Sequence, residues 1–248
     1  MREQPDASRQ VSAEIDGAAL WVRLHRPEKA NAYTREMLDA LEQAVGQAEA
    51  NPEIRVLVVT GSGHRVFCAG ADRDELDQRS WRSVVGLRSA AIFRSIRESP
   101  LVSVAAINGA AVGGGLELAL ACDLRVAVES AQFWLPEPEF GLLPAAGALT
   151  LLPGLVGQGR ARELVLGGAR WTAQEAEAAG LVSQVVAPAD LRSEVTRWVT
   201  QVARRDPDAL RLAKLALEES SRAPSGTLDR VGQALLVAKT RMPEALDT

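Results

Sequence analysis

The chain has few of the residues that bind metals or form disulfides. Its 248 residues include two cysteines, Cys68 and Cys122, and two histidines, His25 and His64. Zinc sites draw their ligands from clusters of Cys and His, and the two cysteines lack CxxC spacing. We therefore expect no metal site, and we expect free thiols that indicate a reducing compartment.

The chain also lacks a strong charge of either sign. Its formal net charge is -4 at pH 7, which gives no electrostatic reason to expect nucleic acid or an anionic membrane as a partner. Residues 1–10 are polar and have no apolar stretch typical of a secretory signal. The apolar run at 101–122 contains Asn108, Glu117 and three consecutive glycines, which would be costly in hydrocarbon. We expect a soluble, cytoplasmic protein.

Short β-branched runs alternate with segments of helical periodicity. Strands are predicted at 18–24, 56–60, 102–107 and 124–128. Helices are predicted after the capping residue Thr34 and at 80–96, 116–122, 158–167, 172–179, 189–205, 207–220 and 226–238. This order indicates an α/β core in residues 1–190, which contains the active site, and a C-terminal helical region in residues 191–248 that packs on it.

A glycine triplet, Gly113-Gly114-Gly115, separates a predicted buried strand from a predicted helix. Glycine lets the backbone approach a ligand closely. The first N–H groups of the following helix are unpaired and lie at its positive end, which suits a phosphate or a negatively charged thioester oxygen. A tight turn that serves packing alone is an equally good interpretation of the glycines by themselves.

A second run of small residues, FCAGAD at 67–72, follows the predicted strand at 56–60. Small side chains leave backbone N–H groups accessible, so this turn could supply a second donor to the same oxygen. Two such donors would form an oxyanion hole, in which each contributes about 10²–10³ in rate. Taken alone, the run is more typical of a small-residue loop.

Two carboxylates lie in apolar surroundings. Glu117 is the only charged residue in the stretch 107–122, so it must be paired, hydrogen-bonded or protonated if it is buried. Glu137 lies between Pro136 and Pro138, which indicates a rigid loop. In one dry pocket the two pKa values would separate, leaving one base and one acid. The alternatives are a structural ion pair for Glu117, for example with an arginine, and a surface loop for Glu137.

Several motifs occur in the order and spacing of a known family. They are LHRP at 24–27, NA at 31–32, FCAGAD at 67–72, ING at 107–109, GGGLELALACD at 113–123, AQF at 131–133, PE at 136–137, GG at 167–168, AQEA at 173–176 and AGLV at 179–182. By these motifs, nearly the whole chain resembles the enoyl-CoA hydratase/isomerase, or crotonase, superfamily.

The resemblance implies a spiral of ββα turns with a C-terminal helical region that forms trimers, often as a dimer of trimers. It places the two oxyanion-hole N–H groups on Ala71 and Gly114. It makes Glu117 the group that orients and deprotonates water and Glu137 the proton donor to Cα. Because both glutamates are present, it favours hydration of a 2-enoyl-CoA.

The resemblance also implies where coenzyme A binds. The loop after the Arg-Pro pair falls on Lys29 and Ala30, and the adenine-side segment falls on Ala69 and Asp72. Trp134 stands where a glycine is common and is expected to narrow the acyl pocket. No metal or redox cofactor is implied, since coenzyme A is part of the substrate, and the expected partners are this thioester and further copies of the chain.

Departures from the family pattern keep other functions open. After Pro144 the chain has AAGALTLL at 145–152, in which Leu151 replaces an arginine, so a family ion pair is expected to be missing. Arg73 replaces the usual apolar residue after the GAD triplet. One alternative is another crotonase-type reaction on a specialised acyl-CoA, by an isomerase, dehydratase, decarboxylase or C–C lyase. A second is a non-catalytic subunit that binds acyl-CoA.

Overall fold

The structure, a computed structural model, describes residues 10–76 and 87–222. The strands are β1 Val11–Asp16, β2 Ala19–Leu24, β3 Val56–Gly61, β4 Val66–Cys68, β5 Val102–Ile107, β6 Ala110–Val112, β7 Leu124–Val128, β8 Gln132–Trp134, β9 Trp171–Thr172 and β10 Gln184–Val186. The helices are α1 Arg35–Ala50, α2 Arg73–Leu76, α3 Arg88–Glu98, α4 Gly114–Ala121, α5 Ala148–Val165, α6 Ala173–Ala178, α7 Leu191–Ala203 and α8 Pro207–Arg222. Short 3₁₀ helices lie at Pro27–Lys29, Glu137–Phe140 and Pro188–Asp190.

The strands form two sheets, and the two strands of each successive pair lie in different sheets. The larger sheet has the order β1-β2-β3-β5-β7-β10, and the smaller has the order β4-β6-β8-β9. In each of the pairs β3/β4, β5/β6 and β7/β8, the first strand joins the larger sheet, the second joins the smaller, and a helix follows. This repeat confirms the expected spiral of ββα turns.

The predicted strands form the centre of the larger sheet. Neighbouring strands from β2 to β10 are parallel, and all six residues of β3 are buried. Parallel strands that are covered on both faces have continuous apolar sequences, and β3 has such a sequence. Helix α1 packs its apolar face on this sheet, and the Thr34 hydroxyl accepts a hydrogen bond from the Met37 N–H at 3.3 Å, which confirms the predicted cap.

The C-terminal helices α7 and α8 contact the larger sheet. Arg192 of α7 forms an ion pair with Asp16 at 2.7 Å, and Lys214 of α8 forms one with Asp123 at 2.8 Å. The division of the chain at residue 190 stays a prediction. Residues 80–86 of one predicted helix and all of the predicted helix at 226–238 lie outside the described residues.

Helix α5 begins ten residues before the predicted start at 158. It contains Pro153, and the backbone of Gly157 is non-helical, with φ +79°. These two residues interrupt the helical pattern in the sequence, so only the second segment was predicted.

Two further expectations can be checked in the described part of the chain. Both cysteines are buried and neither forms a disulfide. Among residues 10–76 and 87–222, no helix has both the length and the apolar character needed to cross a bilayer.

Candidate active site

The smaller sheet brings three predicted site residues to one edge. Strands β4, β6 and β8 are adjacent and parallel, so their carboxyl ends lie side by side. The turn with Ala71 follows β4, the turn with Gly114 follows β6, and the loop with Glu137 follows β8. Open α/β sheets commonly bind ligands at the carboxyl ends of their parallel strands.

The turn after β4 leaves one backbone donor unused. The Tyr33 N–H donates to the Gly70 carbonyl at 2.8 Å, and the Asp72 N–H donates to the Tyr33 carbonyl at 2.9 Å. This isolated parallel bridge uses groups on either side of Ala71. No hydrogen bond among the described residues uses the Ala71 N–H, so that donor remains available to a ligand.

A side chain is disfavoured at each position of the glycine triplet, for a different physical reason in the first position than in the other two. Gly113 has φ +53°, which disfavours any residue with a Cβ atom. A Cβ on Gly114 would lie 2.2 Å from the Tyr33 hydroxyl oxygen, and one on Gly115 would lie 2.0 Å from the Cys68 carbonyl oxygen. The triplet therefore permits a positive φ once and a close approach of neighbouring groups twice.

The turn with Ala71 and the turn with Gly114, called the donor turns below, lie in close contact. A Cβ on Gly70 would lie 3.0 Å from the backbone nitrogen of Gly114. Because Gly114 is the first residue of α4, its N–H has no acceptor within the helix and lies at the positive end of the helix dipole. The N–H groups of Ala71 and Gly114 thus lie in adjoining turns, and such donors can stabilise negative charge on one oxygen.

Glu117, in the first turn of α4, is buried at 3% relative exposure. Its Oε1 accepts hydrogen bonds from the N–H of Ala146 at 2.7 Å and of Ala148 at 3.1 Å. Burial raises the pKa of the Glu117 carboxyl, although the N–H groups of residues 146–148 oppose the shift. Among the described residues no arginine forms an ion pair with Glu117, which removes the support for a purely structural pair.

The segment with the unusual sequence AAGALTLL therefore has a definite role. Its backbone, between Pro144 and Leu151, supplies both hydrogen bonds to Glu117. Backbone N–H groups do not depend on side-chain identity. The replacement of the family arginine by Leu151 thus leaves the carboxylate with two donors.

Glu137 begins the 3₁₀ helix Glu137–Phe140 and lies against the glycine triplet. A Cβ on Gly113 would lie 2.7 Å from Oε1 of Glu137. Its Oε2 is buried and has no hydrogen-bond partner among the described residues. Burial raises the pKa of Glu137 to about 7, and the negative charge of Glu117 adds to this shift. Glu137 is thus a half-buried acid beside the donor turns and not a surface loop residue.

The negative charge of Glu117 acts on the carboxyl of Glu137 and raises its pKa, which is the behaviour expected of two neighbouring carboxyls. Two carboxyls in a shared low-dielectric pocket cannot both ionise at the pH at which an isolated carboxyl does. The apparent pKa values then belong to the pair and not to either residue. At neutral pH a large fraction of Glu137 carries a proton. The site can therefore present one carboxyl that gives a proton and one that accepts a proton.

The segments predicted to bind coenzyme A lie next to each other. The Ala69 N–H donates to the Ala30 carbonyl at 3.1 Å, which joins the loop after the Arg-Pro pair to the turn before Ala71. Lys29 is exposed, with its Nζ 3.4 Å from a carboxylate oxygen of Asp74. Such an exposed pair is weak, so the ammonium group can contact a ligand instead.

Asp72 has an internal partner. Its Oδ2 lies 2.8 Å from Nη1 of Arg26, and both side chains are nearly buried. Burial acts to raise the pKa of Asp72, but the hydrogen bond and charge of Arg26 outweigh it and hold this pKa below its usual range. The carboxylate therefore holds the turn, and the Asp72 N–H and carbonyl are also engaged within the protein, with Tyr33 and with the first turn of α2.

Trp134 ends β8 and is half-buried. The guanidinium carbon of Arg170 lies 4.9 Å from the centre of the Trp134 ring. The Trp134 carbonyl accepts a hydrogen bond from the Gly113 N–H at 3.0 Å. The backbone of Trp134 thus fixes the glycine turn, while the contact of its ring with an acyl chain stays a prediction.

Sequence reasoning missed two residues of the site. Tyr33 contacts both donor turns, and Arg26 holds Asp72. Tyr33 is the only tyrosine of the chain and lies directly after the Asn31-Ala32 motif, which was the available signal. Arg26 was part of a motif, but its partner 46 residues away could not be inferred from spacing.

Comparison with known proteins identifies the family of the chain. The sequence model of the family described as enoyl-CoA hydratase/isomerase matches residues 14–241. The chain belongs to the enoyl-CoA hydratase/isomerase family of the crotonase superfamily. YngF of Bacillus subtilis, whose name places it in this family, is 42% identical over 203 residues, which are 80% of this chain and 77% of that protein.

Other family members are similar in sequence and in fold. The crotonyl-CoA hydratase of Syntrophomonas wolfei is 36% identical over 198 residues, which are 79% of this chain and 76% of that protein. The solved structure of Pseudomonas aeruginosa DspI superimposes with a TM-score of 0.89 at 34% identity, covering 97% of this chain and 99% of that one. The crotonase fold is therefore established for this chain, and acyl-CoA thioesters are the substrates of its family.

Proposed function

We propose that the protein is an enoyl-CoA hydratase, which adds water reversibly and with syn geometry to a 2-enoyl-CoA to give a 3-hydroxyacyl-CoA. The observation that carries the proposal is a pair of carboxyls, the buried Glu117 and the half-buried Glu137, beside two available backbone donors. The names of relatives such as the crotonyl-CoA hydratase support the same reaction.

The donor turns act on the thioester carbonyl. In the proposed complex its oxygen accepts hydrogen bonds from the N–H groups of Ala71 and Gly114. As water adds to Cβ, the electrons of the double bond move toward the carbonyl and charge accumulates on this oxygen. Fixed donors that meet the charge as it develops lower the barrier, and each is worth about 10²–10³ in rate.

The two glutamates move the protons. Glu117, ionised and held by Ala146 and Ala148, accepts a proton from the attacking water, whose oxygen forms the new bond to Cβ. Glu137, protonated because its pKa is raised to about 7, donates its proton to Cα. Turnover then needs one proton to pass from Glu117 back to Glu137, so their starting states are restored. Positioned acid–base groups contribute about 10²–10⁴ each.

Coenzyme A is part of the proposed substrate, so the protein must bind it together with the acyl group. We infer that Lys29 and the backbone of Ala30 and Ala69 contact the coenzyme A part of the thioester, while Asp72 holds the turn beside them, and that Trp134 borders the acyl chain. The reaction needs no metal or redox cofactor, since proton transfer and oxyanion stabilisation supply the chemistry. We also infer a homo-oligomer, a trimer or a dimer of trimers, which sedimentation equilibrium would test.

The direct experiment follows the absorbance of the conjugated thioester of crotonyl-CoA with purified protein. The proposal predicts a fall in absorbance and a product heavier by one water, identified as 3-hydroxybutyryl-CoA by mass spectrometry. Glu137→Gln should lose most of this activity. Glu139→Gln is its matched control and should keep the activity, because Glu139 is an exposed acid two residues from Glu137. An unchanged spectrum with demonstrated CoA-thioester binding would instead indicate another crotonase reaction or a non-catalytic binding subunit.

A further inference from the structure

Tyr33 lies between the coenzyme A loop and helix α1 and is 4% exposed. It is the only tyrosine of the chain, so any variant or label at tyrosine reports on this position alone. Its contacts extend to both turns that carry the proposed oxyanion donors, which makes it a candidate for a role in their placement.

The backbone of Tyr33 orients the first donor. Its N–H donates to Gly70 at 2.8 Å and its carbonyl accepts from Asp72 at 2.9 Å, so Tyr33 pairs with Ala71 as one step of a parallel ladder. In such a pairing the N–H and carbonyl of the middle residue point away from the partner strand. The bridge therefore directs the Ala71 N–H away from Tyr33.

The side chain of Tyr33 covers the second donor residue. A Cβ atom built on Gly114 would lie 2.2 Å from the Tyr33 hydroxyl oxygen, 3.1 Å from Cζ and 3.3 Å from Cε1. The Tyr33 hydroxyl, with the ring edge behind it, thus occupies the space beside Gly114 where a side chain would lie. This contact limits how far the first peptide of α4 can shift relative to the Ala71 turn.

The ring itself is held from a third element. Phe93 of α3 meets Tyr33 edge to face, with ring centres 5.8 Å apart and planes at 90°. An edge-to-face contact is a favoured aromatic geometry, so it helps to fix the orientation of the Tyr33 ring. Phe93 also borders a cavity of about 200 Å³ beside Ala146 and Gly147, the segment that supports Glu117. The aromatic pair therefore lies between the donor turns and the cavity that borders the segment supporting Glu117.

We propose that Tyr33 is a positioning residue that fixes the N–H groups of Ala71 and Gly114 relative to each other. Its backbone holds one donor turn and its side chain holds the other, so loss of the ring lets the two turns separate. The inference rests on the proposed oxyanion hole, but it does not depend on which reaction follows. A misplacement of about 1 Å in an active site can cost about 10²-fold in rate.

The test uses three Tyr33 variants and a spectroscopic reporter of carbonyl polarisation. Tyr33→Phe keeps the ring on Gly114, whereas Tyr33→Leu and Tyr33→Ala remove it. The reporter is 4-(dimethylamino)cinnamoyl-CoA, whose absorbance moves to longer wavelength when its thioester oxygen accepts strong hydrogen bonds. Leu41→Ala, a buried change in helix α1, is the control for general destabilisation. The spectral shift is measured on the saturated complex and compared with the Kd and with the kcat and KM for crotonyl-CoA.

We expect the wild type and Leu41→Ala to show nearly the same spectral shift, and Tyr33→Phe, which keeps the ring, to retain most of it. Tyr33→Leu and Tyr33→Ala should bind the reporter but show a clearly smaller shift, with kcat lower by about 10–100-fold and KM changed far less. If the wild type shows the shift without hydrating crotonyl-CoA, the hydratase proposal fails while the role of Tyr33 stands on the variants' shifts. A full shift in folded Tyr33→Ala, or no shift in the wild type, overturns the inference.

Discussion

The carboxylate of Glu137 packs directly against the backbone of Gly113. A Cβ atom on Gly113 would lie 2.7 Å from Oε1 and 3.3 Å from Cδ of Glu137, closer than ordinary van der Waals contact. The absence of a side chain at residue 113 is therefore what admits the proposed proton donor to the edge of the donor turns. This relationship links the glycine motif to the second glutamate, which are 24 residues apart in the sequence.

Gly113→Ala should displace Glu137 and lower hydration. The new methyl group must push the flexible carboxylate away, and the positive φ of +53° adds backbone strain. We expect kcat to fall by about 10–100-fold, because a positioned acid contributes about 10²–10⁴. Steady-state kinetics with crotonyl-CoA measure the effect.

Gly17→Ala is the control for this substitution. Gly17 lies in the turn between β1 and β2 with φ +58°, and a Cβ there would meet no atom within 4 Å. It places a methyl group on a glycine that also has a positive φ, without the contact to Glu137. Equal losses of kcat in the two variants would show that strain, and not displacement of the carboxylate, explains the result at Gly113.

The hydration rate should fall as the pH rises through about 7. The pKa of Glu137 is raised to about 7 by burial and by the charge of Glu117, and only the protonated form can donate to Cα. The plot of log kcat/KM for hydration against pH should therefore decline above neutrality, with an apparent pKa that belongs to the pair. A rate that instead rises steadily from pH 6 to pH 8 would contradict the assignment of Glu137 as the acid.

Glu137→Gln should stabilise the protein above pH 7. A carboxyl whose folded pKa is raised from 4.5 to about 7 disfavours folding when ionised. This penalty is absent below about pH 4.5, grows between pH 4.5 and 7, and is complete above pH 7. Since one pKa unit corresponds to about 1.4 kcal/mol and solvent access reduces the effect here, we expect a gain of about 1–2 kcal/mol.

Urea unfolding at pH 8 and at pH 4.5 measures this difference. The stabilisation by Glu137→Gln should be largest at pH 8 and small at pH 4.5. Glu139→Gln, which changes an exposed carboxyl, should have little effect at either pH. Equal or lower stability of Glu137→Gln at pH 8 would show that ionised Glu137 is not disfavoured by its surroundings.

Much of the fold followed from apolar patterning, because buried parallel strands and amphipathic helices have distinct periodicities. Strand β3 and helix α1 are examples, since each keeps one pattern without interruption. Strands β4, β6 and β8 have three residues each, which is too short for a period to emerge. The site lies at the carboxyl ends of these three strands. Its residues could therefore be predicted from motifs but not from the pattern of strands.

The contacts that complete the site could not be inferred from spacing. Glu117 is supported by backbone N–H groups of residues 146 and 148, which carry no side-chain signal. Tyr33 lies 81 positions from Gly114, and only the folded spiral brings the two together. Motif order predicted which residues share the site, while the partners of each residue depend on packing between distant turns of the chain.

The roles of the two carboxyls are tested most directly by comparing Glu117→Gln and Glu137→Gln with the wild type in hydration of crotonyl-CoA and in binding of butyryl-CoA, a saturated analogue. We expect each variant to lose about 10²–10⁴ in hydration rate and to bind the analogue with a Kd within a few-fold of the wild type. Near-wild-type hydration by either folded variant would contradict the assignment of the two carboxyls as the acid and base of the reaction.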